Sequence, residues 1–204
     1  MPQLVLAGGR VDVIGNANAP TSETSTFVVS NGMGIVNLLP NAAQPLTFTN
    51  SAAWSFTTGQ TLFVVGANAQ PGQTVQAGQA AYSWPTMNFS GTVNNTNGAK
   101  NKSIRPDIVM DPLVGDLAQT STDIAFSTLD GVTNYMRPLA ANEMETAANF
   151  ATSGTTGAAI NYSLGSTVAL VNNQSANSIR LENGGGVTLA RRRTSAGSTP
   201  VAAC

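Results

Sequence analysis

The chain has 204 residues, of which 42% are hydrophobic and only 9% charged, with a formal net charge of −1 and no histidine. A core can form, but the charged fraction is far below the ~25% of an average globular chain. Histidine-based acid–base catalysis and histidine metal sites are excluded, no global field draws in nucleic acid, and no apolar run approaches the ~20 residues of a membrane-spanning helix.

The predicted elements are mostly short strands, separated by clusters of Gly, Asn, Pro and Ser. Leu4-Val5-Leu6 and Val11-Asp12-Val13-Ile14 flank Gly8-Gly9, read as a tight turn. A dinucleotide loop would need the G-x-G-x-x-G spacing and a following helix, and neither is present. Thr26–Ser30 and Met33–Val36 meet across Asn31-Gly32, which predicts a hairpin. Leu46–Thr49, Ala53–Thr57, Thr61–Val65, Gln73–Gln76 and Met87–Val93 complete the strands of the first half, with Phe48, Trp54 and Phe56 alternating as on a half-buried sheet.

The segment Asn94–Ser103 is polar and holds both lysines, Lys100 and Lys102. It is expected to be an exposed loop, the alternative being a junction between two β subdomains. In the second half Ile108–Met110, Asp123–Ser127 and Val132–Met136 read as strands, the last two joined by a turn at Asp130-Gly131. Pro138 to about Ala151 reads as the one helix, with Pro138 in its first turn. Val168–Val171, Ser178–Leu181 and Val187–Ala190 read as a meander, followed by a basic and polar tail over 191–204. No repeat at a fixed period is evident.

No catalytic, cofactor or metal site is expected. Asp107, Asp111, Asp116, Asp123 and Asp130 form a loose acidic set. Two of them converging in a cleft would suit a carboxylate hydrolase, and several could take Ca²⁺. Their spacing matches no such motif, and turn roles account for Asp111 and Asp130. A hydroxyl nucleophile would need a base, and the lysines sit where desolvation is not expected. A Lys–Asn isopeptide link would need a buried lysine beside a carboxyl group, which an exposed loop does not offer. Five N-x-[ST] triplets, at Asn88, Asn94, Asn101, Asn161 and Asn173, are not read as glycosylation sites. The first ten residues have no basic start, so no secretory signal is expected.

The candidate partner-anchoring residues are Arg191, Arg192 and Arg193, the only charge run, together with Cys204, the single cysteine. Arginines can grip carboxylates on a neighbouring subunit bidentately. The expected fold is a single all-β domain, a β-sandwich for which a jelly roll is one candidate form, with a short helical insertion near 138–151.

In whole-chain composition and turn texture the sequence resembles the accessory virion proteins of tailed bacteriophages, the capsid decoration or cement type. The resemblance transfers no individual residue. It implies a non-enzymatic virion subunit, made in the host cytoplasm, forming homo-oligomers with a trimer favoured. Its partners would be the major capsid protein or other virion subunits, with no membrane, cofactor or direct nucleic-acid role. Two rivals remain open: a fibre, tail or adhesin-like module stacking a glycan on Trp54, Trp84, Tyr82 or Tyr135, although core packing is the preferred reading of these rings, and the carboxylate hydrolase.

Overall fold

Parallel pairing organises the first half of the chain. The structure, a computed structural model, describes residues 3–53, 59–86, 94–170 and 173–189. The opening strands are β1 (Leu4–Ala7), β2 (Arg10–Ile14) and β3 (Thr21–Ser25). The chain then returns on itself with a shift of about 25 residues, so that β4 (Phe27–Asn31) lies beside β1, β5 (Met33–Leu39) beside β2, and β6 (Leu46–Asn50) beside β3. On the next circuit β7 (Thr61–Val65) stacks on β5 and β8 (Ala80–Ser83) on β6. β9 (Arg105–Asp111) then stacks on β7. Every one of these pairings is parallel. The result is a three-sided coil, with the strands of successive circuits piled in register on each side.

Stacking in register puts like positions above one another. Val11, Val36, Val64 and Met110 form one such column along β2, β5, β7 and β9. Phe48 lies beside Tyr82, their rings 6.0 Å apart, and Phe27 stacks on Phe48 at 5.9 Å. Trp84 closes the aromatic column edge-on to Tyr82. These rings line the inside of the coil with Leu38, Leu46, Leu62 and Ile108, all fully buried. At the corner after β6, buried Asn50 stands in for a missing strand partner: its side chain accepts from the Phe27 and Ala52 N–H groups and donates to the Phe27 carbonyl.

The coil is closed at one end by an antiparallel hairpin. β10 (Ala125–Leu129) pairs with β9, and β11 (Met136–Pro138) pairs with β10 and touches β8. The hairpin thereby joins two sides of the coil into one curled nine-stranded sheet, ordered β2-β5-β7-β9-β10-β11-β8-β6-β3. A single turn of 3-10 helix (Ala141–Glu143) and α1 (Ala147–Ser153) follow. A second, smaller set of parallel pairs comes last: β12 (Asn161–Leu164) with β14 (Ser178–Leu181), and β13 (Thr167–Leu170) with β15 (Gly186–Leu189). Phe150 of α1 packs on Tyr162, Leu164 and Val168 of this unit.

Among the described residues the chain is all-β with one short α-helix, as its residue pattern indicates. The layers differ from those of a jelly roll, whose neighbouring strands are antiparallel. A turn signal fixes where the chain bends but not which strand it pairs with. Asn31-Gly32 bends the chain round a corner between two sides of the coil rather than making a hairpin. Asp130-Gly131 does make one, although its second strand begins at Met136 because Val132–Asn134 complete the turn. The predicted meander near the C-terminus is two parallel pairs. Pro138 ends β11 instead of starting a helix, and α1 begins only at Ala147 because the Glu143 side chain is drawn back to the Ala140 N–H and to Arg137.

Gly66, just after β7, has φ +82°, and a Cβ there would collide with the Leu38 carbonyl oxygen of the adjacent strand. Its N–H donates to the Asp111 carbonyl, which holds the end of β7 against β9. Gly66→Ala combines left-handed strain with overpacking and is expected to cost at least ~2 kcal/mol. A lowered urea midpoint with unchanged slope is the expected reading.

Candidate functional site: a buried ionic cluster at the closed end of the coil

The turn of the closing hairpin places Asp130 at its first corner and Arg137 in the returning strand. Four charged side chains meet here: Lys102, Asp130, Arg137 and Glu143, each at most 4% exposed. The Arg137 guanidinium grips Glu143 with both nitrogen arms, at 2.7 and 2.8 Å, and its Nε reaches Asp130 at 3.3 Å. Lys102 Nζ lies 3.9 Å from Glu143 Oε1. Two positive and two negative groups balance, so no net charge is buried.

Hydrogen bonds complete the cluster. Glu143 also accepts from the Gly98 and Ala140 N–H groups. Asp130 accepts from the N–H groups of Val132, Thr133 and Gly72 and from the Asn97 amide. Lys102 Nζ donates to the Asn95 carbonyl at 2.5 Å and to Asn97 Oδ1 at 3.1 Å. Asn97 Oδ1 accepts in addition from Arg137 Nη2 at 3.1 Å and from the Gly131 N–H at 3.0 Å. Gly131 is a glycine for a steric reason: a Cβ would run into the Asn95 carbonyl oxygen.

The environment sets the protonation of each group. Burial pushes the Lys102 amine down from 10.5 to about 8, against the opposing pull of the Glu143 charge. Burial would raise the Glu143 carboxyl, but the Arg137 guanidinium and the Ala140 and Gly98 N–H groups outweigh it and hold it below 4.5. Asp130 is held well below 3.8, burial being outweighed by the Thr133 and Val132 N–H groups, the Asn97 amide and the Gly72 N–H.

The loop 94–103 is therefore not an exposed excursion. It wraps around its own lysine, whose side chain is fully buried. Its backbone also reaches the smaller parallel unit: the Lys100 and Lys102 carbonyls accept from the backbone and side chain of Asn161, and Lys100 Nζ donates to the Met144 carbonyl. The segment links the capped coil to the C-terminal strands. The expectation that its lysines stay solvated fails for Lys102. Its burial depends on Arg137 and Glu143, far away in the chain. Asn97, Arg137 and Glu143 were not singled out by sequence pattern. The one signal available in the sequence is an arginine directly after a predicted strand in a charge-poor chain.

The remaining candidates fall elsewhere. Asp107 pairs with Arg105 at 2.6 Å. Asp111 and Asp116 face one another; burial raises the Asp111 carboxyl, while Asp116 is lowered, its burial outweighed by the Ser121 N–H and neighbouring Thr120 groups. Asp123 is exposed and lines two clefts of about 260 and 610 Å³ that it shares with Arg180. Neither cleft brings two of the five aspartates together. Among the described residues no three acidic or cysteine side chains are grouped to hold a metal ion. Tyr82 and Trp84 are core residues and Tyr135 is half-buried. Arg191, Arg192, Arg193, Cys204 and Trp54 lie outside the described residues.

No family model, curated protein or solved structure matches the chain.

Glu143→Gln leaves Arg137 and Lys102 with one anion between them and is expected to destabilise the protein by ~3–5 kcal/mol at neutral pH. The acid response follows from the lowered carboxyls. As pH falls below 4.5 the unfolded chain takes up protons before the folded one, so stability from Glu143 and Asp130 is full above that pH and lost below it. Urea midpoints across this range should fall more steeply for the native chain than for Glu143→Gln.

Proposed function

We propose that the protein is a structural subunit of a larger assembly, of the accessory virion type, that acts through surface contact and not through turnover. The observation that carries this reading is the contrast between the two ends of the coil. One end is capped by the β10–β11 hairpin. At the other, β1, β2 and β3 have a strand partner on one side only among the described residues. Unpaired edges of this kind are templates for another chain's strands. Apolar side chains stand exposed on these strands: Leu4 at 42%, Val5 at 51% and Ile14 at 71%.

The composition supports the same reading. A near-neutral chain with few charges has little to keep copies apart. The occupant we assign to the open end is a second copy of this chain, with the capsid or another virion protein as the wider partner. A trimer is the copy number that the decoration-protein resemblance implies.

The coil itself favours a second reading, a fibre or tail subunit, because stacked parallel circuits extend along one axis. The glycan-stacking form of that reading loses support, since Tyr82 and Trp84 serve the core.

Light scattering on the purified chain should give a mass of two or more copies. Val5→Lys with Ile14→Lys should shift it toward one copy while leaving the circular dichroism spectrum unchanged. A native chain that stays monomeric at high concentration would sink the proposal. Removal of 191–204 is expected to keep the fold and weaken incorporation into partner particles, as read by co-sedimentation.

A further inference from the structure

We propose that Lys102 and Asn97 form an intramolecular isopeptide bond, made by the protein itself with Glu143 as the base. The geometry supplies each part of such a reaction. The nucleophile is a fully buried amine 3.1 Å from the carboxamide oxygen of Asn97. A C=O bond is ~1.23 Å long, so the carbon lies no more than ~4.3 Å from the amine. Rotation of the lysine side chain by ~1 Å brings it into the ~3–3.5 Å range of reacting atoms.

The carboxamide is set up as an electrophile. Its oxygen receives the Gly131 N–H and the Arg137 guanidinium as well as the lysine. These two fixed donors remain in place when negative charge develops on the oxygen, and they act as an oxyanion hole. Its nitrogen donates to Asp130 Oδ2 at 2.9 Å, which fixes the plane of the amide.

The steps balance without any further reagent. The Lys102 ammonium gives a proton to the Glu143 carboxylate, 3.9 Å away. The free amine attacks the side-chain carbonyl carbon of Asn97, and a C–N bond forms as the carbonyl π pair moves to oxygen. A proton passes from the attacking nitrogen to the amide nitrogen, with Asp130 in place to relay it. The original C–N bond then breaks and ammonia leaves, taking the proton from Glu143 to depart as ammonium. The products are one secondary amide and one ammonium ion. Burial favours the reactive form, because an amine that titrates near 8 is partly neutral at physiological pH. The charged groups facing it are Glu143, Asp130 and Arg137.

The bond would tie the loop that joins the capped coil to the C-terminal strands, within a segment that already holds both ends of the link. Reaction rate should rise with pH up to about 8.

Intact mass measured under denaturing conditions tests the proposal directly. The native chain is expected to be lighter than its sequence by one ammonia, and protease digestion should show no cleavage after Lys102. Lys102→Arg keeps the positive charge but cannot link, and is expected to show the full mass. A native chain at full sequence mass after prolonged incubation at pH 8 overturns the proposal. So does a mass loss that persists in Lys102→Arg, because it would mark a cyclic imide at Asn97-Gly98 instead.

Discussion

Parallel strands stacked into a coil leave a row of unpaired backbone groups at each end, and the architecture follows from how those two rows are treated. Buried N–H and C=O groups must find partners. At one end the chain supplies them itself, by laying an antiparallel hairpin across β9 and β8. At the other, β1, β2 and β3 keep one free side among the described residues. The asymmetry gives the molecule one closed end and one end with free strand edges, the end to which we assign the proposed second copy.

The closing hairpin is short, and β11 has only three residues. Such a strand has little pairing energy of its own, so its position depends on the side chains around it. The ionic cluster provides that. Taking four charges out of water costs several kcal/mol per ion. Bidentate Arg137–Glu143 contacts and backbone donors to both carboxylates offset the cost. What the arrangement contributes is register: Asp130, Arg137, Glu143 and Lys102 satisfy one another only when the hairpin, the 3-10 turn and loop 94–103 are all in place. An apolar plug could stabilise the end equally well but would specify it less closely.

Much of the strand content was legible in the residues, because β-branched and aromatic runs mark β4, β6 and β7 to within a residue of their observed limits and the first four residues of β5. Their pairing was not. Val36 lies beside Val64 and Val64 beside Met110, yet the chain between successive circuits lengthens as it proceeds, so no fixed repeat is visible. Asn31-Gly32 and Asp130-Gly131 carry the same local turn chemistry. Only the second makes a hairpin, because the first is followed by strands drawn to β2 and β7 instead of to β4. Tyr82 and Trp84 read from the sequence as core rings more readily than as a glycan platform, and they line the coil's interior.

Lys102 shows the limit of local reading most clearly. Its neighbours Asn101 and Ser103 are polar, and every short-range signal assigns it to solvent. The groups that bury it, Arg137 and Glu143, come from a strand and a turn that themselves look unremarkable. A protein so short of charge has few ways to make a chemically specific point in its structure. It gathers two bases and two acids at the one place where the coil must be closed, and packs a carboxamide among them. In a chain with only 9% charged residues, this interior cluster brings four of the charged side chains together out of water. The bond we propose between Lys102 and Asn97 draws on three of its features: a buried amine, a carbonyl oxygen that accepts from Gly131 and Arg137, and a carboxylate 3.9 Å from the amine.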